Sequence, residues 1–225
     1  MAAVGGGCVT LHQPIGGDRV DGVAVGAAPE CLHAIESADC AAAIWQRTPL
    51  PVFQEWVDAL TPDTLPRARL ILRPSDAGDA MTDLFDSYAL PHCDKRSTLV
   101  DDVAALAQLF GNVMQTPFIR LRLDVINTNA CRKFHTDVIT ARLLCTYRGT
   151  GTQYGVSLRG KDPDRVFTAA TGSPIILRGK LWPAPAAPDL VHRSPPIQGT
   201  GETRLVLVLD PVKDLAQAEG EELLH

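Results

Sequence analysis

Residues 118–127, Phe-Ile-Arg-Leu-Arg-Leu-Asp-Val-Ile-Asn, alternate apolar and polar side chains. Because successive side chains of a strand point to opposite faces, this pattern predicts a β-strand with one buried face. A second run, Arg-Leu-Leu-Cys-Thr-Tyr-Arg at 142–148, is closed by Gly-Thr-Gly at 149–151. The segment between the two runs contains Cys-Arg-Lys-Phe-His-Thr-Asp at 131–137. We therefore predict two strands joined by a link that carries a His-x-Asp pair.

The His-x-Asp pair predicts a metal site. In an extended segment residues i and i+2 share a side, so His135 and Asp137 can aim an imidazole and a carboxylate at one point. A third candidate ligand, His192, lies downstream. Two histidines and one carboxylate on one face of a metal form the facial triad of non-haem Fe(II) sites. Zn(II) and Mn(II) share these ligand types, so the sequence leaves the choice of metal open.

Turn residues punctuate the second half of the chain at short intervals, which is typical of a sandwich or barrel of short strands. The predicted strands span 118–127, 142–148, 152–158, 165–169, 174–179, 189–193 and 203–210.

The first half is predicted to be mainly helical. Apolar residues at helical spacing favour helices near 53–60, 79–90 and 100–113, the last capped by Ser97 or Thr98. Short helical turns are predicted over 28–46 and a strand over 67–73.

These patterns predict an α+β protein forming one compact unit. Its parts are an irregular arm (1–30), a mainly helical support region (31–116), a β core with the metal site (117–211) and a tail (212–225).

Composition limits the classes of function. The chain has 225 residues and a net charge of −5, and no run of Lys and Arg forms a basic stripe. This argues against nucleic acid or an anionic membrane as a partner and leaves a small-molecule or protein substrate. We expect a cytoplasmic location, since neither a signal peptide nor a membrane-spanning run is recognisable.

The six cysteines form no CxxC pair and are expected to be free thiols. Cys131 and Cys145 flank the His-x-Asp pair, so a soft-metal or redox role stays open.

The order of these motifs resembles a known family. His-x-Asp, then Gly172 before an apolar strand, then His192 and Arg204, is similar to the 2-oxoglutarate and Fe(II)-dependent dioxygenases. The resemblance spans roughly 118–210 and implies a double-stranded β-helix (jelly roll), here braced by the N-terminal helices. It implies that His135, Asp137 and His192 hold iron and that Arg204 binds the distal carboxylate of 2-oxoglutarate. The step from His192 to Arg204 is slightly longer than usual, and the common Tyr-Leu-Asn strand ending is missing.

Further residues are candidates for contacts with ligands. Arg148 is predicted to bind the keto acid or another anion, and Arg142 and Tyr147 to face the cavity or its rim. Trp182 is predicted to line the mouth of the pocket. Arg120 and Arg122 share one face of their strand, which faces either solvent or the cavity; of the two we expect solvent.

A second resemblance keeps other functions open. The blocks Phe-His-x-Asp, His-Arg-Ser-Pro-Pro and Gly-Glu-Thr-Arg also look like a bacterial family of unknown function that occurs near zinc-regulated genes and metal-chaperone GTPases. That resemblance implies a non-catalytic metal-binding protein in metal (zinc) homeostasis. A cupin-like enzyme that needs no keto acid is a third alternative. The position of Arg204 separates these readings: a guanidinium in the cavity favours a keto acid, and one paired with Glu202 or Asp210 at the surface excludes it.

Overall fold

The computed structural model describes residues 20–184 and 188–215. These residues form two β-sheets, three α-helices and three short 3-10 helices. The strands are β1 (Val23–Gly26), β2 (Ala42–Trp45), β3 (Ala68–Leu72), β4 (Phe118–Ile126), β5 (Ala141–Arg148), β6 (Gln153–Val156), β7 (Phe167–Thr168), β8 (Ile175–Arg178), β9 (Leu190–Arg193) and β10 (Arg204–Val212). The α-helices are α1 (Pro51–Ala59), α2 (Ala77–Ser87) and α3 (Asp94–Met114), and the 3-10 helices are Pro29–Glu36, Pro62–Thr64 and Pro74–Asp76.

The two sheets have a jelly-roll-like arrangement. The large sheet has the strand order β1-β2-β8-β5-β10-β4-β3, and the small sheet has the order β7-β6-β9. A single antiparallel bridge between His135 and His192 adds a short pairing to the free edge of β9. From β4 onward the chain therefore passes repeatedly between two sheets, as in double-sheet jelly rolls. The seven strands predicted after residue 117 are confirmed.

Each face of the large sheet packs against a different layer. On one face Leu144, Val206 and Val208 share a core with Tyr154 and Leu190 of the small sheet. On the other face the alternate residues of the same strands join the core formed by α3. Those residues include Leu121, Leu123, Leu143, Leu207 and Leu209, and α3 contributes Leu99, Val103, Leu106 and Phe110. Alternate side chains of β4, β5 and β10 thus contribute to two separate cores, one on each face of the large sheet.

The first half differs from its prediction at three points. Residues 23–26, within the predicted irregular arm, form β1 at the edge of the large sheet. Residues 42–45, predicted as part of helical turns, form β2, because they pair parallel with β1 and antiparallel with β8. Helix α3 begins at Asp94 and not at the predicted caps Ser97 or Thr98. Arg96 explains the earlier start, since its buried guanidinium donates hydrogen bonds to the segment that precedes the helix. Most of the predicted arm (1–19) and tail (216–225) lies outside the described residues.

No helix among the described residues is both long enough and apolar enough to cross a membrane.

Candidate metal centre

Backbone pairing brings the two predicted histidine ligands together. The amide of His135 donates to the carbonyl of His192 at 3.0 Å, and the amide of His192 donates back at 2.9 Å. The imidazole centroids consequently lie 4.6 Å apart. His192 is held in place by β9, and the bridge fixes His135, which lies on an otherwise irregular link, against it.

Asp137 completes the cluster. Its Oδ1 lies 3.6 Å from Nε2 of His135, and its Oδ2 lies 3.2 Å from Nε2 of His192. One potential ligand atom from each residue falls within 4.8 Å of the others, and no other group of three such residues occurs in the described parts of the chain. The structure therefore brings together the three metal ligands that the sequence predicts.

The donor set fits a divalent cation. The Oδ2 atom of Asp137 is buried and accepts no well-formed hydrogen bond from the described residues. The Nδ1 of His135 lies 2.8 Å from the carbonyl oxygen of Lys133, to which it can donate. This contact favours the tautomer that leaves a lone pair on Nε2, the nitrogen directed at the cluster. A buried oxygen that accepts no hydrogen bond of good geometry and an imidazole nitrogen that can present its lone pair are groups that a metal ion would satisfy.

The electrostatics of the cluster keep Asp137 ionised. Burial opposes ionisation, but His135, His192 and the charge of Arg142 outweigh it, so the pKa of the Asp137 carboxyl lies well below its usual range. The same carboxylate raises the pKa of His135 above 6.5, against the smaller opposing effect of burial. A metal ion would therefore compete with a proton for the imidazole of His135, whereas the carboxylate of Asp137 is already ionised.

Arg142 links the cluster to the large sheet. Its Nη1 lies 2.8 Å from Oδ1 of Asp137. The rest of the guanidinium forms a fork on Asp210 of β10, with hydrogen bonds of 2.6 and 2.8 Å. Arg142 faces the cavity as predicted, but its guanidinium is bound to the carboxylates of Asp137 and Asp210. The structure thus gives it a role in orienting Asp137, where the sequence predicted contact with substrate.

The cluster opens onto a cavity of about 100 Å³. Its lining includes His135, His192, Arg142 and Arg204. The apolar part of its wall consists of Ile126, Leu144, Val206 and Val208. Arg122 also lines this cavity, contrary to the expectation that it faces solvent.

Arg204 is the most deeply buried charged side chain of the cavity, with 1% of its surface exposed. Its hydrogen bonds go to neutral groups only: the carbonyl of Thr150 at 2.6 Å and the hydroxyls of Ser194 and Thr146 at 3.1 and 3.3 Å. Burial lowers the pKa of its guanidinium to about 10. Glu202, which the sequence offered as a partner for Arg204, accepts hydrogen bonds from Thr150 instead. No carboxylate of the described residues forms an ion pair with Arg204, so its charge is left without a counter-ion.

Tyr147 and Arg148 do not line the cavity, contrary to prediction. The register of β5 and β10 shifts between Leu205 and Val206, so that one residue of β5 is extra. A bulge of this kind turns consecutive side chains to one face. The Tyr147 hydroxyl donates to Asp102 of α3 at 2.6 Å, and Arg148 donates to the carbonyl of Leu60 after α1. Both residues therefore belong to the helical side of the sheet.

Trp182 lies beside a different depression. The guanidinium of Arg178 stacks over its ring, 4.5 Å from the centroid. The two residues line a surface pocket of about 340 Å³ that is separate from the metal cavity. The predicted role of Trp182 at the cavity mouth is therefore not supported by its position.

The two cysteines that flank the motif are separated by the large sheet. Cys131 lines the metal cavity, whereas Cys145 is buried on the helical side, where its thiol lies 3.8 Å from Arg47. Burial raises the pKa of the Cys145 thiol to about 12. The two thiols therefore cannot ligate one metal together.

Asp210 is the functional residue that sequence reasoning missed. It interrupts the apolar run of β10, and a buried aspartate requires a cationic partner. That requirement could have pointed to Arg142, but the pairing depends on the strand order, which the sequence does not reveal.

A protein-family model described as "Protein of unknown function (DUF1826)" matches residues 26–210. This protein belongs to that family. The match covers the small sheet, the helices, all three candidate ligands and the large sheet apart from most of β1 and the last two residues of β10. No curated protein matches the chain.

Three solved structures are similar to this chain at low sequence identity. A dioxygenase for auxin oxidation from rice is 12% identical, with a TM-score of 0.47, covering 83% of this chain and 79% of its own. The Arabidopsis thaliana dioxygenase for auxin oxidation 1, in complex with 2-oxoglutarate, is 12% identical, with a TM-score of 0.44 and coverage of 76% and 67%. A Pseudomonas putida prolyl-4-hydroxylase is 11% identical, with a TM-score of 0.42 and coverage of 83% and 98%. The expected link to zinc-regulated genes has no support in the fold, the site or these similarities.

Proposed function

We propose that this protein is an Fe(II)- and 2-oxoglutarate-dependent oxygenase that hydroxylates a substrate still to be identified. The observation that carries the proposal is Arg204. A buried guanidinium without a counter-ion among the described residues lines the same cavity as the His135, Asp137 and His192 cluster. Burying a charge is costly unless an anion meets it, so the arrangement calls for an anionic ligand beside a metal.

The residues of the site have separable roles. His135, Asp137 and His192 would hold the metal, with Arg142 fixing the orientation of Asp137. Arg204 would bind the distal carboxylate of 2-oxoglutarate, because its planar guanidinium can form two parallel hydrogen bonds to a carboxylate. The hydroxyls of Ser194 and Thr146 keep that guanidinium in place before the ligand arrives.

The cavity wall contributes by excluding water. Leu144, Val206 and Val208 present aliphatic side chains to a space of about 100 Å³, which suits a small keto acid better than bulk solvent. When bound, iron would couple the conversion of 2-oxoglutarate and O₂ into succinate and CO₂ to the insertion of the second oxygen atom into a C–H bond. The chain itself supplies ligand geometry, carboxylate recognition and a shielded space.

The proposal is tested by titrating 2-oxoglutarate into the anaerobic Fe(II)-loaded protein and recording the weak visible charge-transfer band. We expect the band in the wild type and its loss in His135→Ala. Arg204→Gln should weaken 2-oxoglutarate binding by at least a hundredfold, since it removes a charge-assisted fork. Arg148→Gln is the matched control, because Arg148 pairs with Leu205 in the adjacent strand but faces the helices. Its affinity for 2-oxoglutarate should equal that of the wild type.

Two results would contradict the proposal. Metal binding without affinity for 2-oxoglutarate would leave a metal-binding protein with no keto-acid chemistry. Equal affinity in Arg204→Gln and Arg148→Gln would remove the role of Arg204, provided that both variants show cooperative thermal unfolding. Arg204→Lys, which keeps the charge but not the fork, should bind 2-oxoglutarate with intermediate affinity.

A further inference from the structure

Besides Arg142 and Arg204, the guanidinium of Arg122 on β4 lines the cavity. It lies on the half-exposed face of β4, whose opposite face is fully buried against the helices. Strand β3 pairs antiparallel with β4, and the register places Arg69 directly opposite Arg122. Directly opposed side chains lie on the same face of a sheet, with Cβ atoms about 5 Å apart. Two arginines therefore stand side by side at an open edge of the cavity.

The nearby carboxylates contact only one member of this pair, Arg122. Asp210 is bound to Arg142 by two short hydrogen bonds, and Arg122 reaches Asp210 only at 3.8 Å. Arg122 also donates a hydrogen bond of 3.4 Å to Oδ2 of Asp124. Arg69 is exposed and forms no ion pair with any residue that the structure describes. Like charges directly opposite each other destabilise a sheet, so an anion placed between them would be favourable.

The Arg69–Arg122 pair is distinct from Arg204. On the paired strands β4 and β10, Arg204 is opposite Ile126 and Arg122 is opposite Val208. Four residues of strand separate these positions, which corresponds to about 13 Å. Arg204 is buried, whereas the edge at Arg69 is open. The anion that Arg204 would bind is therefore not the one that would meet Arg69 and Arg122.

We propose that Arg69 and Arg122 bind a carboxylate or phosphate group of the substrate, which is consequently a small acid. Its anionic group would sit at the open edge, and the remainder would extend into the cavity toward His135 and His192. Guanidinium groups suit this task because they form forked hydrogen bonds with carboxylate and phosphate oxygens. The identification of the anion as part of a substrate rests on the proposed function. Binding of the anion itself does not.

The test uses inorganic phosphate and acetate as probes of the Mn(II)-loaded protein with 2-oxoglutarate present. Mn(II) at the cluster broadens the ³¹P signal of phosphate or the methyl proton signal of acetate when the anion lies near it. We expect saturable broadening in the wild type and at least a tenfold loss of apparent affinity in the double variant Arg69→Gln/Arg122→Gln. Arg159→Gln, a change of the same kind at an exposed residue between β6 and β7, should match the wild type. The more strongly bound probe tells whether the group is a phosphate or a carboxylate.

A metal-free measurement guards against a failure to load Mn(II). At constant ionic strength, phosphate should raise the Tm of the wild type and of Arg159→Gln, but not that of the double variant. Phosphate binding that survives in the double variant and disappears in Arg204→Gln would overturn the inference. The proposed function is judged separately by 2-oxoglutarate binding. If wild type binds phosphate through Arg69 and Arg122 but does not bind 2-oxoglutarate, the anion site stands and the oxygenase proposal fails.

Discussion

The Nη1 atom of Arg142 lies 2.8 Å from Oδ1 of Asp137, so the carboxylate of the candidate metal site is held by a guanidinium that β5 supplies. Asp210 holds the other side of that guanidinium from the neighbouring strand β10. The large sheet thereby fixes a ligand that lies on an irregular link between strands. The position of the Asp137 carboxylate therefore depends on the rigid pairing of β5 and β10.

Replacing Arg142 by lysine should weaken metal binding by about 10- to 100-fold, the usual effect of losing a residue that orients a ligand. Lysine keeps the positive charge, so the loss would report geometry and not a change in net charge. The measurement is the metal dissociation constant from competition with a chelator. Arg193→Lys is the control, because Arg193 follows the ligand His192 but stacks on Phe134 and does not contact Asp137. An unchanged constant in Arg142→Lys would show that Asp137 is oriented without it.

Metal affinity should rise with pH through the titration of His135. The pKa of this imidazole is raised above 6.5 by Asp137, and only the neutral form binds a metal. Without metal the sign is opposite: the His135–Asp137 attraction contributes stability that is fully present below pH 6.5 and is lost as pH rises through the folded-state pKa. Dissociation constants and free energies of unfolding measured from pH 5.5 to about 9 should show these opposite trends. Asp137→Asn should flatten the stability trend and move the rise in metal affinity to lower pH, toward 6.5, because it removes the carboxylate that raises the pKa of His135. A wild-type affinity independent of pH in this window would contradict the assignment.

Cys131 and Cys145 should differ strongly in their reaction with iodoacetamide. Cys131 is exposed and lines the cavity, whereas burial raises the pKa of the Cys145 thiol to about 12 and removes the reactive thiolate. Mass spectrometry should find Cys131 modified in the native protein and Cys145 only after unfolding. Added metal and 2-oxoglutarate should slow labelling at Cys131 but not at Cys93, which is half-buried outside the cavity. Equal protection of both residues would mean that the ligands act on the whole fold.

Tyr147→Phe should lower the free energy of unfolding by about 1.5–3 kcal/mol, because a buried hydroxyl hydrogen-bonded to the carboxylate of Asp102 is lost. Metal and 2-oxoglutarate affinities should stay unchanged, since Tyr147 lies on the helical side of the sheet. Tyr154→Phe is the matched control: its hydroxyl has no hydrogen bond to a described residue, and the expected change is within about 0.5 kcal/mol. Urea unfolding of the three proteins gives the comparison. A fall in ligand affinity in Tyr147→Phe would contradict this placement and support the predicted position of Tyr147 at the cavity.

The sequence predicted the strands from residue 117 onward because their side chains alternate and their turns carry glycine and proline. It missed β2, since a four-residue apolar run such as Ala-Ala-Ile-Trp has no periodicity that separates a buried strand from a helical turn. The three candidate metal ligands were predictable for the same local reason: residues two apart in an extended segment share a side, and His192 stood on a recognisable strand.

Local sequence thus determined the jelly-roll strands, the His-x-Asp pair and its third ligand. Only the tertiary structure decided which arginines face the cavity. Alternation predicts that successive side chains of a strand take opposite faces, but it does not predict which face lines the cavity. The bulge opposite Leu205 and Val206 directs Tyr147 and Arg148 away from the cavity, toward the helices. The tertiary structure also decided that Glu202 accepts a hydrogen bond from Thr150 and leaves Arg204 without a counter-ion among the described residues. Such pairings depend on strand order and on distances between residues far apart in the chain, which no local pattern encodes.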